Sequence, residues 1–222
     1  GAEENRGGGG LSDRTQTWFS VHGAPVAQPV VDGMNNELAA ANRGVHIYNQ
    51  LALQEVVIET SGIGADRDTG GAQINMIFKD GGNTFSGIAN LAYTGSDLES
   101  SNGNDALLAR GLKAGSGAIK KYYDAGFGIG GPLMRDRLWF FGAARKSVNQ
   151  QYASGVYWNK LRQPESVLYE PDIDRGPAST NDFYRDYTAR LTWQAAQKHK
   201  LVLTGSSQHN CNCVYNLLQA TA

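Results

Sequence analysis

The amino-acid sequence predicts a β-rich protein: part of an antiparallel transmembrane β-barrel, preceded by a small mixed α/β domain. Three observations carry this. Two arms between Lys121 and Lys146 alternate in character with a period of two about a short charged turn at Arg135-Asp136-Arg137, the spacing that sends successive side chains to opposite faces of a sheet. The non-apolar face of the first arm is mostly glycine, and aromatic residues crowd the ends near the turn. A wall with a lipid face, a small or polar lumen face and aromatic girdles has that pattern. Finally, the joins between predicted strands are alternately short and long, as periplasmic turns and extracellular loops are in outer-membrane barrels.

Composition sets the limits. The chain has 222 residues and a formal net charge of −1, so no electrostatic pull toward nucleic acid is expected. Charged residues are 18%, below the roughly 25% of soluble domains, which suits a sheet facing lipid. No stretch reaches the ~18 consecutive apolar residues of a membrane-spanning helix, whereas a barrel strand needs only about 10 residues. The polar start Gly1-Ala2-Glu3-Glu4 has no leader pattern, and the chain is expected to begin inside a longer polypeptide.

The first predicted domain is residues 1–82. Residues 1–17 are polar, with Gly7 to Gly10 a flexible run, and no Lys follows to make a phosphate loop. Trp18 to Gly23 alternates as a short strand, and Val30-Val31 leads into a turn at Asp32-Gly33. Asn36 to Asn49 is weakly helical and ends at Gly44. Leu53 to Thr60 is a β-branched strand, Gly62 to Gly71 a glycine-rich loop, Gln73 to Lys79 another strand, and Lys79 to Asn83 a turn. A nucleotide-binding reading of Gly62 to Gly71 fails because a strand follows, not a long helix. Val56, Val57, Ile58, Ile74 and Met76 are the expected core. Glu55, Glu59 and Asp66 have no nucleophile nearby, and acid–base chemistry is not expected of them.

The second predicted domain is residues 83–222, the first barrel strands. Phe85, Gly87, Ala89, Leu91 and Tyr93 share one face, with Ser86, Asn90 and Thr94 on the other. Ser96 to Gly117 is a loop with a helical turn at Ala106 to Arg110. In the hairpin, Tyr123, Ala125, Phe127 and Ile129 oppose Asp124, Gly126, Gly128 and Gly130. Pairing is expected to stop at Gly131-Pro132, since proline cannot donate to a ladder. Asn149 to Thr180 is a long polar loop. Tyr187, Ala189, Leu191 and Trp193 are expected to face lipid, and Thr188, Arg190 and Thr192 to face inward. After a turn at Ala195 to Lys198, a last strand runs through Leu201 to Ser206, and another loop starts at His209. A soluble β-sandwich is the competing reading of the hairpin taken alone.

Several motifs resemble those of TonB-dependent outer-membrane receptors, and of their Oar-like group in particular. Gly130-Gly131-Pro132-Leu133-Met134-Arg135-Asp136-Arg137-Leu138-Trp139-Phe140-Phe141-Gly142 resembles that family's early barrel hairpin. The block Gln54 to Gly87 resembles its plug-domain strand, loop, last strand and Lys79-Asp80-Gly81-Gly82-Asn83 turn. Val31-Asp32-Gly33 resembles its plug turn, with His22 where the family's preceding strand usually has Asn. The resemblance implies that residues 1–82 are the later part of a plug. It also implies a location in the outer membrane of a Gram-negative bacterium, energised uptake without catalysis, and no cofactor. The implied partners are outer-membrane lipid, the inner-membrane TonB complex, and the remainder of the barrel or another subunit, because an open sheet edge cannot face lipid.

Candidate substrate contacts are Tyr157, Trp158 and Asn159, a ring-bearing stretch of a predicted outer loop suited to stacking on sugars or apolar ligands. Cys211 and Cys213 are spaced near the upper limit for a local bridge and lack a second pair for a metal. They read as free loop thiols, or as a local or longer-range disulfide, since cysteine pairs recur in outer loops of the family. A non-transporting scaffold or adhesion subunit is the alternative function. A soluble enzyme is not expected, because His22, His46, His199 and His209 sit in unrelated contexts.

Overall fold

The computed structural model describes residues 20–21, 24–25, 30–35, 49–61, 73–100, 104–111, 118–161 and 168–213. Strands dominate them: β1 (Ser20–Val21), β2 (Ala24–Pro25), β3 (Val30–Val31), β4 (Met34–Asn35), β5 (Leu53–Glu59), β6 (Gln73–Phe78), β7 (Ser86–Gly95), β8 (Ile119–Met134), β9 (Leu138–Tyr157), β10 (Pro177–Ser179), β11 (Asp182–Ala196) and β12 (His199–Asn212). Of the stretch predicted as helical over Asn36 to Asn49, all but Asn49 lies outside the described residues, as does the loop Gly62 to Gly71. Contacts divide the chain into two units: residues 1–89, 126–145 and 186–208 form the first, and residues 90–125, 146–185 and 209–222 the second.

The first unit holds a four-stranded mixed sheet in the order β4-β3-β6-β5. The predicted Asp32-Gly33 turn joins β3 to β4, with φ of 49° and 77°. Positive φ at both central residues makes a tight hairpin whose twist matches its strands, and Asp and Gly tolerate it best. β3 runs parallel to β6, and Val31 lies opposite Met76. β5 pairs antiparallel with β6, and Val57 lies opposite Asn75. The core cluster is Val31, Ala52, Phe78, Phe141 and Ala143, with Leu53 and Met76 against it. Phe141 and Ala143 belong to β9, so the small sheet and the hairpin share one apolar core.

One core expectation is corrected. Ile74 is buried, but Val56 is 45% and Ile58 58% exposed. β5 is the edge of its sheet, so β6 covers it from one side only, and β-branching alone does not bury a strand.

The long strands follow one another as a meander, in the order β12-β11-β9-β8-β7, with β10 pairing only to β9. Links of two or three residues, at 135–137 and 197–198, demand antiparallel neighbours. The glycine face of β8 has a packing reason in the first unit. A Cβ at Gly126 would sit 2.6 Å from the Leu51 side chain and 2.9 Å from the Ala144 carbonyl, so only glycine admits the 3-10 turn Gln50–Ala52 onto this face.

Strands run further than expected at three places. β8 continues through Pro132 to Met134, because proline breaks a ladder only where its nitrogen would have to donate. β9 extends to Tyr157, where β10 returns to pair with it at Pro177↔Tyr157 and Ser179↔Tyr152, so both ends of the predicted loop are strand. β12 passes His209 and ends at Asn212. The helical turn expected near Ala106 is the short helix α1 (Asp105–Ala109). The alternation of short and long joins holds.

Candidate functional site

The candidate site lies in the first unit, where the inward face of β11 grips the segments preceding β7. Along β11 the side chains alternate strictly: Asp186, Thr188, Arg190 and Thr192 are buried, while Tyr187, Leu191 and Trp193 are exposed. The polarity is inverted relative to a soluble sheet, with charge inside and large apolar residues outside.

Arg190 is the centre. Its side chain is 8% exposed and pairs with Asp32 of the β3–β4 turn and, at 2.5 Å, with Asp80. Asp80 also receives the Thr192 hydroxyl at 3.0 Å and the Lys200 ammonium at 2.7 Å. The guanidinium further donates to Thr204 Oγ1 at 3.3 Å. Two carboxylates from segments more than 100 residues away thus converge on one buried cation, which supplies donors in several directions from a planar fork. Asp32 also accepts from the Phe78 backbone N–H at 3.3 Å, so the same residue shapes the turn, ties β6 and meets β11.

A second grip lies four residues earlier on β11. Asn49 caps the 3-10 turn by accepting from Leu51 N at 3.1 Å and donates from Nδ2 to Asp186 at 2.9 Å. The same Asp186 oxygen accepts from Thr188 Oγ1 at 3.1 Å. Both Asn49 and Asp186 are buried, where an unmade hydrogen bond is costly.

The Lys79 to Asn83 segment works residue by residue. Lys79 Nζ donates to the Leu51 carbonyl at 3.2 Å, and Asp80 enters the Arg190 cluster. Gly81 passes directly over β9, and Asn83 clamps the β8–β9 turn. Asn83 donates to Asp136 Oδ1 at 2.6 Å, while its own Oδ1 accepts from Asp136 N at 2.9 Å and Trp139 Nε1 at 2.7 Å. Asp136 has a φ of 61°, a left-handed conformation that these bonds hold in place.

Burial alone would raise the Asp80 pKa, but the bonds from Lys200 and Arg190 hold it below the ordinary carboxylate value. A lowered folded pKa contributes stability at pH values above the unfolded one, and that stability is lost as the pH falls through the folded value. The Asp80 grip should therefore persist at neutral and mildly acid pH and weaken only below about pH 4. Hydrogen exchange at Phe78 to Asn83, corrected for intrinsic rates, would read this. Loss of protection already at pH 6 would contradict it.

The predicted contact residues Tyr157, Trp158 and Asn159 come together in the second unit, at the base of their loop. Their polar groups are engaged there. Tyr169 Oη accepts from Tyr157 N and donates to Tyr157 O, each at 3.1 Å. Asn159 donates to Leu168 O and accepts from the backbone N–H groups of Leu161 and Glu170. The Arg175 guanidinium lies 4.6 Å from the Trp158 ring centroid, covering one face of it. Cys211 and Cys213 are joined as a disulfide, with Cα atoms 5.0 Å apart, so the free-thiol reading gives way to the local bridge. Among the described residues, no group of His, Cys, Asp and Glu could hold a metal ion, and no helix is long and apolar enough to cross a membrane.

Sequence reasoning placed Arg190 inward and Asp32 in a turn, but it did not find Asn49, Asp186, Lys200 or the pairing of Asp80. The only local signals were a charge inside an apolar alternation and a polar turn richer in donors and acceptors than a turn needs.

No family model matches the sequence, and no solved structure matches it. The chain is similar to the TonB-dependent transporter Oar of Myxococcus xanthus, with which it shares 28% identity over 78% of its own length. It spans 17% of that protein. This supports a relationship to TonB-dependent receptors.

Proposed function

We propose that this chain is the later plug and the first wall strands of an Oar-like TonB-dependent receptor in an outer membrane, and that its work is energised uptake rather than catalysis. The observation that carries this reading is the inverted polarity of β11. Its buried face is Asp186, Thr188, Arg190 and Thr192, and its exposed face includes Tyr187, Leu191 and Trp193. In water that arrangement exposes apolar area for no return. Against lipid it is the favourable one, provided that the inner face meets polar groups. The same register appears on β8, where Phe127 and Ile129 are exposed and Asp124 is buried.

In this reading the small sheet of β3 to β6 is the plug, held to the wall by the Asn49–Asp186 and Asp32/Asp80–Arg190 grips. A pull from the inner-membrane TonB complex has to release both to open a path. Water can replace the hydrogen bonds of the two grips in the opened state, whereas the core that the small sheet shares with Phe141 and Ala143 has to be exposed for it to leave.

The test is insertion. On the exposed apolar face, Leu191→Arg should cost about 2–4 kcal/mol of assembly in lipid. Ile173→Arg is a control of at least equal exposure, 70% against 37%, in the loop after β9. It should stay within the ~0.5 kcal/mol of an ordinary surface change. Folding yields of the full-length protein in vesicles would be compared, and equal yields for the two variants would remove the lipid-facing assignment.

A further inference from the structure

Asp80 is held as a bound ligand would be. One of its oxygens accepts from Arg190 Nε at 2.5 Å and from the Thr192 hydroxyl at 3.0 Å, and the other accepts from Lys200 Nζ at 2.7 Å. All three donors stand on neighbouring strands of the first unit, β11 and β12. Asp32 is held differently. One of its oxygens stays with its own sheet by accepting from Phe78 N at 3.3 Å, and the other meets Arg190. Asp32 is therefore a turn residue that also pairs, whereas both oxygens of Asp80 are seated in a cradle of side chains from β11 and β12.

A planar guanidinium, an ammonium and a hydroxyl suit the two oxygens of any carboxylate. Nothing in that donor set requires the carboxylate to be joined to this chain. The cradle is also reachable: the Arg190 side chain is 8% exposed, but Lys200 is 49% and Asp80 33% exposed, so it is closed at the arginine and open at the lysine. With both carboxylates in place, two cations face two anions. Withdrawal of the small sheet with Asp32 and Asp80 leaves Arg190 and Lys200 together, beside the Thr192 and Thr204 hydroxyls, with no anion between them. A buried cation stripped of its partners is strongly unfavourable, so the opened state is the one that attracts an anion.

We propose that the cradle of Arg190, Thr192 and Lys200 binds the carboxylate group of a small anionic solute, and that Asp80 is its resident occupant, displaced when the small sheet withdraws. The opening step rests on the receptor reading above; the cradle rests on its donors. A solute that binds the opened state alone draws the equilibrium toward that state by mass action. Entry of the anion and release of the small sheet then favour each other, as linkage requires. The substrate class assigned in this way is a carboxylate-bearing solute.

The experiment empties the cradle in the full-length protein with Asp80→Ala and titrates acetate, the smallest probe with the right group, by saturation-transfer NMR at constant ionic strength. The variant should bind acetate at least about tenfold more tightly than wild type, in which Asp80 competes. Adding Lys200→Gln removes one charge-assisted bond and should take back about tenfold. Should Asp80→Ala not fold, wild type must exchange faster at Phe78 to Asn83 in acetate than in chloride of the same ionic strength, and Lys200→Gln must reduce that difference. Acetate binding no tighter in Asp80→Ala than in wild type would overturn the cradle and leave the receptor reading standing. Inorganic phosphate binding more tightly than acetate would overturn the carboxylate assignment. Insertion of the same wild-type preparation into phosphatidylcholine vesicles reports on the receptor reading separately. Failure to insert would overturn the displacement on opening, even with acetate bound in the emptied cradle.

Discussion

Replacing Arg190 by methionine should destabilise the attachment of the small sheet by about 3 kcal/mol, the low end of the cost of removing one partner from a buried ion pair. The size follows from what is left behind. Methionine fills similar volume, so the packing of β11 changes little. Asp32 and Asp80 then face each other's charge with no buried cation between them, and Asp80 keeps the half-exposed Lys200 and the neutral Thr192 hydroxyl. Both carboxylates reach solvent in part, with side chains 21% and 33% exposed, and water can rescue some of the loss. The result would be read as reduced hydrogen-exchange protection at Gln73 to Phe78 in the full-length protein. Adding Asp32→Asn and Asp80→Asn to Arg190→Met should restore most of the protection, because the cost lies in the stranded charges rather than in the lost contact. A triple variant as weak as the single one would show that Arg190 acts through packing.

The difference between what the residues announce and what they withhold follows from range. The Asp32-Gly33 turn, the β8–β9 hairpin and the alternation of β11 are set by spacing within a few residues, and each is found where the spacing puts it. The extensions of β9 and β12 depend on a neighbour. Asn149 to Tyr157 reads as a loop because it is polar, yet it is a strand, and β10 comes back to pair with its Tyr152 to Tyr157 part. Val56 and Ile58 read as core because they are β-branched, yet they are exposed because, among the described residues, nothing pairs beyond β5 in its sheet. The site withholds most. Arg190 lies 158 residues from Asp32 and 110 from Asp80, and no periodicity links positions so far apart. The alternation says that Arg190 points inward, where a charge needs a partner, but it does not say which partner. Tyr157, Trp158 and Asn159 make the converse point. Their chemistry suits a ligand, yet the loop uses the polar groups of Tyr157 and Asn159 for its own hydrogen bonds.

Gly81→Ala should cost about 3 kcal/mol, although it adds one methyl group in a segment without regular structure. An ideal Cβ at Gly81 would fall 2.3 Å from the Phe140 carbonyl oxygen and 2.9 Å from both the Phe140 nitrogen and the Trp139 Cβ. These are backbone atoms of β9 or directly attached to them, and β9 is fixed by β8 on one side and β11 on the other. The strand cannot give, so the segment must lift. Its neighbours cannot follow without loss: Asp80 would leave Arg190 and Lys200, and Asn83 would leave the Asp136 turn and the Trp139 indole. Overpacking alone costs about 1–3 kcal/mol, and the broken bonds on either side place the substitution at the top of that range. Gly82 is the internal control, since a Cβ there meets nothing within 4 Å and its φ is not in the left-handed region. Gly82→Ala should stay within ~0.5 kcal/mol of the wild type. Denaturant titration of the full-length protein in detergent, followed by exchange at Phe78 to Asn83, would compare them. Equal midpoints for the two variants would mean that the segment does not lie on β9 as closely as the structure places it.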